Sequence, residues 1–170
     1  MKKLVAVAMF ALSGAAAALA EVPAPKPSIP TLAQLPVVTT QPYDEKADAD
    51  AAVTAAFERA RRNKKLVLID LGGNWCPDCI VLANFLELPE IKAFAARHYE
   101  IVAVDVGRFD RNLQIPARFG FTGRLKGVPT ILVARPDGTL VNRDTVFVAT
   151  SARKMTPESL SQYLARWPEK

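Results

Sequence analysis

Cys76 and Cys79 are the only cysteines among 170 residues, and they stand three positions apart in the segment Trp75-Cys76-Pro77-Asp78-Cys79. A disulfide between them would close a very small loop, which constrains the unfolded chain little compared with a long-range bridge. Reactivity therefore explains the pair better than stapling. The reacting species is the thiolate, and a free cysteine has a pKa of roughly 8.5, so the attacking residue needs help at neutral pH. A helix N-terminus supplies it through unpaired amides and partial positive charge. Pro77 suits the first helical turn, where a missing N–H costs nothing. On this reading Cys76 is the exposed attacker. Cys79, one turn further in, resolves the mixed disulfide. Asp78 adds negative charge beside the pair, which is expected to oppose thiolate formation and favour a reducing potential. Substrate contacts are expected at Trp75, Pro77 and Asp78, with Asn74 helping to frame the site.

Other chemistry fits less well. A structural zinc site needs four ligands and a catalytic one three plus water, yet the chain has no third cysteine and one histidine, His98. His98 falls near the end of an expected helix and reads as a cap or core-edge residue. A cysteine hydrolase would lack its base. No metal and no cofactor are expected.

The pair needs a strand–loop–helix junction, and the sequence provides one. Leu66-Val67-Leu68-Ile69 is a short apolar run that suits a strand buried on both faces. It leads through Gly72-Gly73 into the cysteines and then into the apolar segment Ile80 to Leu88. Upstream, Ala47 to Asn63 has helix formers with Val53, Ala56, Phe57 and Ala60 at helical spacing. Pro89 should break or kink the second helix, with Glu90 to Arg97 restarting it. Tyr99 to Val106 and Thr130 to Ala134 read as further strands, and Arg108 to Gly120 is ambiguous. Arg135-Pro136-Asp137-Gly138 is a turn signal, after which Thr139 to Val148 is expected to return as a hairpin partner. Thr156-Pro157-Glu158 opens a last helix with a cap, a proline and an acid, and Leu160, Leu164 and Trp167 form its buried stripe. The order implies an α/β fold with a mixed sheet flanked by helices.

Lys2 and Lys3 precede an uninterrupted apolar or small-residue run from Leu4 to Leu19, and Ala18-Leu19-Ala20 gives a small-x-small pattern. Residues 1–20 are therefore expected to be a cleaved signal peptide, leaving no stable membrane span, with the periplasm as destination. Leu12-Ser13-Gly14-Ala15 lacks the cysteine a lipid anchor needs. Six prolines between Pro23 and Pro42 mark residues 21–45 as an extended linker or arm, able to lie on the domain surface through Ile29, Leu32, Leu35, Val37 and Val38. Residues 46–170 are the expected folded domain. The formal charge of +5 falls to +3 once Lys2 and Lys3 are removed, and no basic stripe is interleaved with aromatics, so no nucleic-acid partner is expected.

From about Ala55 to Trp167 the sequence resembles the thioredoxin superfamily. Leu66-Val67-Leu68-Ile69-Asp70 followed by Trp75-Cys76-Pro77-Asp78-Cys79 is similar to that family's active-site strand and loop. The resemblance implies a thioredoxin-like three-layer sandwich. It also implies that Asp70, six positions before Cys76, is a buried acid serving Cys79 as a base. Gly127-Val128-Pro129-Thr130 resembles the segment with the family's cis-proline. Val128, Pro129 and Thr130 would then face the cysteines, with the Val128 backbone free for an extended peptide. Two departures stand out. Phe121 to Lys126 is an insertion before Pro129, and the lysine that often pairs with the buried acid is replaced in a stretch holding Ala103 and Val104.

The expected function is thiol–disulfide exchange with exported proteins or a redox partner, tilted by Asp78 towards reduction. A reductant in an oxidising compartment would draw electrons from a membrane-embedded partner. The competing reading is a binding or assembly module in which the cysteines form a structural clasp. A thiol peroxidase is a weaker alternative, since such enzymes surround their cysteine differently.

Overall fold

The computed structural model describes residues 22–168, so the expected leader at 1–20 lies outside the described residues. The central element is β1 (Leu66–Gly72), buried from Val67 onward, in which Asp70 is the one polar side chain. It is flanked by β2 (Tyr99–Asp105), parallel and in register from Leu66↔Tyr99 to Gly72↔Asp105, and by β3 (Thr130–Ala134), antiparallel, giving the order β2-β1-β3. The parallel pair requires a crossover, which is made by α2 (Pro77–Leu86) and α3 (Pro89–His98).

Period-two alternation along β1 divides the core. Val67, Ile69 and Leu71 pack with Val53, Ala56 and Ala60 of α1 (Ala49–Asn63). Leu68 points the other way, into a cluster with Leu82 and Phe85 of α2, Phe94 of α3, and Leu160 and Leu164 of α5 (Pro157–Ala165). Burying each such large side chain contributes roughly 1.5–3 kcal/mol. The result is a mixed sheet between helical layers, the sandwich expected from the sequence.

Local chemistry fixes the element ends. Asp48 accepts from Ala51 N at 3.0 Å, so α1 begins at Ala49 rather than Ala47. Pro89 lacks an amide and holds Leu88 extended, so the chain restarts as a separate helix instead of kinking. His98 ends α3 and packs on the Phe94 ring at 4.6 Å. Thr156 and Ser159 form a reciprocal capping box at the start of α5. The ambiguous stretch 108–120 contains one helical turn, α4 (Gln114–Ala117). Among the described residues no helix is long and apolar enough to cross a membrane.

One expectation fails. Thr139–Val148 does not return as a strand: after the turn closed by Gly138 N→Arg135 O, its one bridge is Ala134↔Leu140. Beyond the turn, backbone pairing with β3 consists of Val141 N→Val133 O at 2.8 Å and Ile131 N→Val146 O at 2.9 Å, and the Asn142 side chain fills the gap between them. Its Oδ1 accepts from Val133 N at 2.8 Å, and its Nδ2 donates to Ile131 O at 2.8 Å and to Tyr163 Oη at 3.0 Å. A carboxamide offers the same donor and acceptor as a peptide group, so the edge of β3 is satisfied while the chain turns into a 3-10 segment, Arg143–Thr145. Val141 and Val146 are half-buried and buried in this irregular path.

Replacing Asn142 by Ala should strand the Val133 amide and the Ile131 carbonyl, both in a buried strand. The expected loss of stability is about 2–4 kcal/mol, read as a lower denaturant midpoint with an unchanged slope. A loss below about 0.5 kcal/mol would show that water replaces the amide without penalty.

Candidate active site

Cys76 is the N-cap of α2. Its backbone is extended (φ −95°, ψ 113°), and its Sγ accepts from the Cys79 amide at 3.2 Å. The thiol also reaches the Val128 carbonyl at 3.5 Å. The hydrogen bonds from Cys79 draw the Cys76 pKa down, against the opposing effect of burial and the Asp78 charge. Cys76 is not exposed as expected: only 4% of it is accessible, because Val128 and Pro129 pack beside it. Cys79 is fully buried, and its bond to Cys76 together with burial pushes its own thiol well up. The two sulfurs are both free thiols with opposite tendencies, one toward thiolate and one toward proton retention.

Beneath them lies Asp70, 3% exposed. Burial pushes its pKa up to about 7, and a hydrogen bond from Tyr43 pulls it part of the way back. Tyr43 Oη donates to Asp70 Oδ2 at 2.8 Å, whereas Asp70 Oδ1 has no hydrogen-bond partner. Tyr43 was not singled out from sequence, and it is 2% exposed, inside the core. The available signal was its being the one aromatic residue in the proline-rich stretch 21–45. Burial, with Asp70 and Cys79 as neighbours, holds its phenol strongly protonated.

The arm delivers Tyr43 through amide clamps. Asn74 Oδ1 accepts from Tyr43 N at 3.0 Å and Asn74 Nδ2 donates to Tyr43 O at 2.9 Å, an imitation of strand pairing by one side chain. Asn84 of α2 does the same further back, binding Val38 N, Thr39 N and Thr39 O at 2.6, 2.9 and 2.9 Å. Gly72 is required by this packing: a Cβ there would lie 2.3 Å from Tyr43 Oη and 2.9 Å from Cys79 Sγ. The phenol thus sits between the carboxyl and the inner thiol.

On the open side, Ala103 is the register partner of Asp70 and is exposed. No side chain fills the space a longer residue would take. A cleft of about 580 Å³ lies there, walled by Pro42 and Thr39 of the arm, Ala83 and Leu86 of α2, and Ala103 of β2, with Asp70 on its lining.

The remaining predicted residues fall into two groups. Trp75 (40% exposed) and Pro77 stand at the surface beside Cys76, and Trp75 Nε1 donates to Gly107 O at 2.7 Å. Val128 and Pro129 are buried next to the thiol, joined by a cis peptide. Thr130 is fully buried, and its Oγ1 donates to Gly127 O at 2.6 Å, so it locks the turn rather than presenting a side chain to a substrate. Asp78 also needs correction. Its carboxylate accepts from Arg153 N at 2.9 Å and pairs with Arg153 Nη2 at 3.2 Å. The negative charge read from the sequence is therefore largely compensated, and its side chain ties α2 to the 3-10 segment Val148–Lys154.

The arrangement can donate an electron pair from the Cys76 thiolate and accept a proton at Asp70, as dithiol–disulfide exchange requires. A family model described as thioredoxin-like matches residues 48–136. Among solved structures, a disulphide isomerase from Xylella fastidiosa Temecula1 is 33% identical over 74% of this chain and 95% of its own, with a TM-score of 0.66. The C-terminal domain of DsbD from Neisseria meningitidis, in the oxidised form, is 24% identical over 56% of this chain and 80% of its own (TM-score 0.42). A DsbH oxidoreductase is 18% identical over 70% and 88% (TM-score 0.43). The comparison with curated proteins returns no match. With the sheet order, the CxxC helix cap and a family match spanning more than half of the chain, this protein belongs to the thioredoxin-like family.

Proposed function

We propose that this chain performs thiol–disulfide exchange starting from its dithiol form. The Cys76 thiolate attacks one sulfur of a partner's disulfide, forming a mixed disulfide and expelling a partner thiolate, which takes up a proton. The Cys79 proton passes to the Asp70 carboxylate. The Cys79 thiolate then attacks the Cys76 sulfur, closes the Cys76–Cys79 disulfide and expels the second partner thiolate, which takes up the proton held by Asp70. The partner gains two electrons and two protons. The observation carrying this reading is the 3.2 Å bond from Cys79 N to Cys76 Sγ at the start of α2, which favours thiolate on the outer cysteine alone.

Asp70 serves as the proton acceptor, Tyr43 positions its carboxyl, and the cleft beside Ala103 connects it with water. The reducing direction no longer rests on Asp78, whose charge Arg153 offsets. It is supported instead by the likeness to the Xylella fastidiosa disulphide isomerase, since isomerisation also begins from a dithiol. The basic leader and its apolar run support a periplasmic location, where reduction implies electrons from a membrane-embedded partner. The proline-rich segment, fastened at Asn74 and Asn84, is a working part of the site.

The reduction potential of the Cys76–Cys79 pair, titrated against dithiothreitol and glutathione buffers, tests the direction. A value near or below about −230 mV is expected. One near about −120 mV would make the protein an oxidant. No exchange on a useful timescale would leave the cysteines as a clasp.

The proton route predicts a pH signature. The rate of Cys79-dependent resolution should rise through a pKa of about 7, and Asp70→Asn should remove that step. Tyr43→Phe deletes a hydrogen bond that favours the ionised carboxyl, so the step should move up by about one unit. A purely structural tyrosine would lower amplitude without moving the step.

Stability should carry the same mark. Between pH 4 and 7 the unfolded chain has released the Asp70 proton while the folded chain retains it. The folded state then binds more protons, and stability falls as pH rises. Asp70→Asn should stabilise the reduced protein by up to about 4 kcal/mol at pH 7 and by little below pH 4. A constant difference across that window would place the carboxyl's charge elsewhere.

A further inference from the structure

The rim of the site carries a feature that exchange chemistry by itself does not require. The loop after β2 holds three left-handed residues, Gly107 (φ 56°), Phe109 (φ 70°) and Asn112 (φ 54°), two of them not glycine. An aromatic residue in that region is strained unless its surroundings impose it. Here they do. Asn112 Nδ2 donates to Asp105 O at 2.7 Å, Asp105 Oδ2 accepts from Gly107 N at 3.2 Å, and Arg108 N donates to Asp110 Oδ1 at 2.9 Å. The loop is thereby bent so that Phe109 meets the exposed Trp75 ring edge-on at 5.9 Å.

Cations are laid on these rings. Arg108 lies over Trp75 at 4.8 Å, and Arg124 over Phe109 at 4.1 Å. Lys126 lies over Phe147 at 5.6 Å. Arg124 and Lys126 both belong to the insertion Phe121 to Lys126, and Lys126 is two residues from Val128, whose carbonyl is 3.5 Å from Cys76 Sγ. Arg111 and Arg153 near the site are engaged by carboxylates, Asp105 and Asp78 respectively, while Arg143 lies over Phe121 and donates to Phe119 O. Arg108, Arg124 and Lys126 are exposed and make no ion pair among the described residues. Arg124 donates one N–H to Arg108 O at 3.4 Å and keeps the others, and a guanidinium already resting on an aromatic ring gives up little freedom when a carboxylate arrives.

We infer that this rim selects protein partners whose disulfide is flanked by an acidic, extended segment, with Trp75, Arg108, Arg124 and Lys126 as the specificity-determining contacts. The inference rests on the exchange reading above and names its substrate class. Strain in the 107–112 loop and the insertion before Pro129 serve one purpose. They bring three uncompensated cations to the edge of a thiol whose own neighbours are otherwise neutralised.

The test uses reduced protein and three synthetic disulfide peptides with one core and flanks of Glu, Gln or Lys. At low ionic strength the acidic peptide should be reduced on the order of ten times faster than the basic one, and the gap should close near 0.5 M salt. Arg108→Gln, Arg124→Gln and Lys126→Gln combined should collapse that ratio, which is internal to each sample and insensitive to the folded fraction. Arg124→Glu should raise the relative rate of the basic peptide, a gain that misfolding does not produce. Equal rates for the three peptides with wild-type protein, or a preference surviving the triple change, would overturn the inference. Binding of the same peptides to the Cys76→Ser, Cys79→Ser protein, followed by Trp75 fluorescence, separates the two readings. Exchange without charge preference rejects the rim and keeps the function, whereas acid-selective binding without exchange keeps the rim and rejects the function.

Discussion

A carboxyl group placed in a strand buried on both faces is the constraint around which this protein is arranged. Asp70 is surrounded by Val67, Leu68, Ile69 and Leu71 in the same strand, in an environment that penalises charge. An ionised carboxylate there needs hydrogen bonds, and the structure gives it one, from Tyr43, while leaving Oδ1 unpartnered on a cleft. The outcome is an acid whose pKa lies near 7 rather than near 4. Such a group can hold and release a proton within the range where a thiol must be activated. The bond to Cys76 and the same burial push Cys79 up, so a proton donor and a proton acceptor face each other beneath the outer thiol.

Supplying that one hydrogen bond accounts for much of the chain before α1. Tyr43 arrives on an extended segment that cannot pair as an inner strand, because its prolines lack amides. Asn74 and Asn84 solve the difficulty by side chain, each satisfying backbone groups of the arm. The phenol also occupies the space that Gly72 leaves open, which couples the glycine pair before the cysteines to the arm. In the superfamily to which this chain is similar a lysine often attends the buried acid. Here Ala103 stands in register with Asp70, and a neutral hydroxyl replaces a cation. A neutral donor lowers the acid's pKa less than an ammonium would.

At the surface the charges are sorted. Arg153 answers Asp78 and Arg111 answers Asp105, while the cations resting on Trp75, Phe109 and Phe147 are left for something outside the chain. The compensation of Asp78 matters to the chemistry as well, since the carboxylate next to the cysteines is a smaller obstacle to the Cys76 thiolate than its place in the sequence suggests.

Local pattern determined a large part of this. The apolar run at Leu66–Ile69, the proline inside the first turn after Cys76, the break at Pro89 and the cap at Thr156 each act over a few residues, so β1, α2, α3 and α5 could be read directly. The cysteine spacing fixed the class of chemistry, because two thiols one helical turn apart do little for stability. Tertiary structure decided whatever depends on side chains meeting across long separations. Tyr43 and Asp70 are 27 positions apart, Asp78 and Arg153 are 75, and neither pairing leaves a periodic trace. The failed hairpin at Thr139–Val148 has the same origin: the turn signal at Arg135–Gly138 predicts a returning strand, but the Asn142 carboxamide takes a share of the edge of β3. Sequence sets which groups are present and what local backbone they favour. Which of them are brought into a dry interior together, and hence which carry protons or charge there, is settled only when the chain is packed.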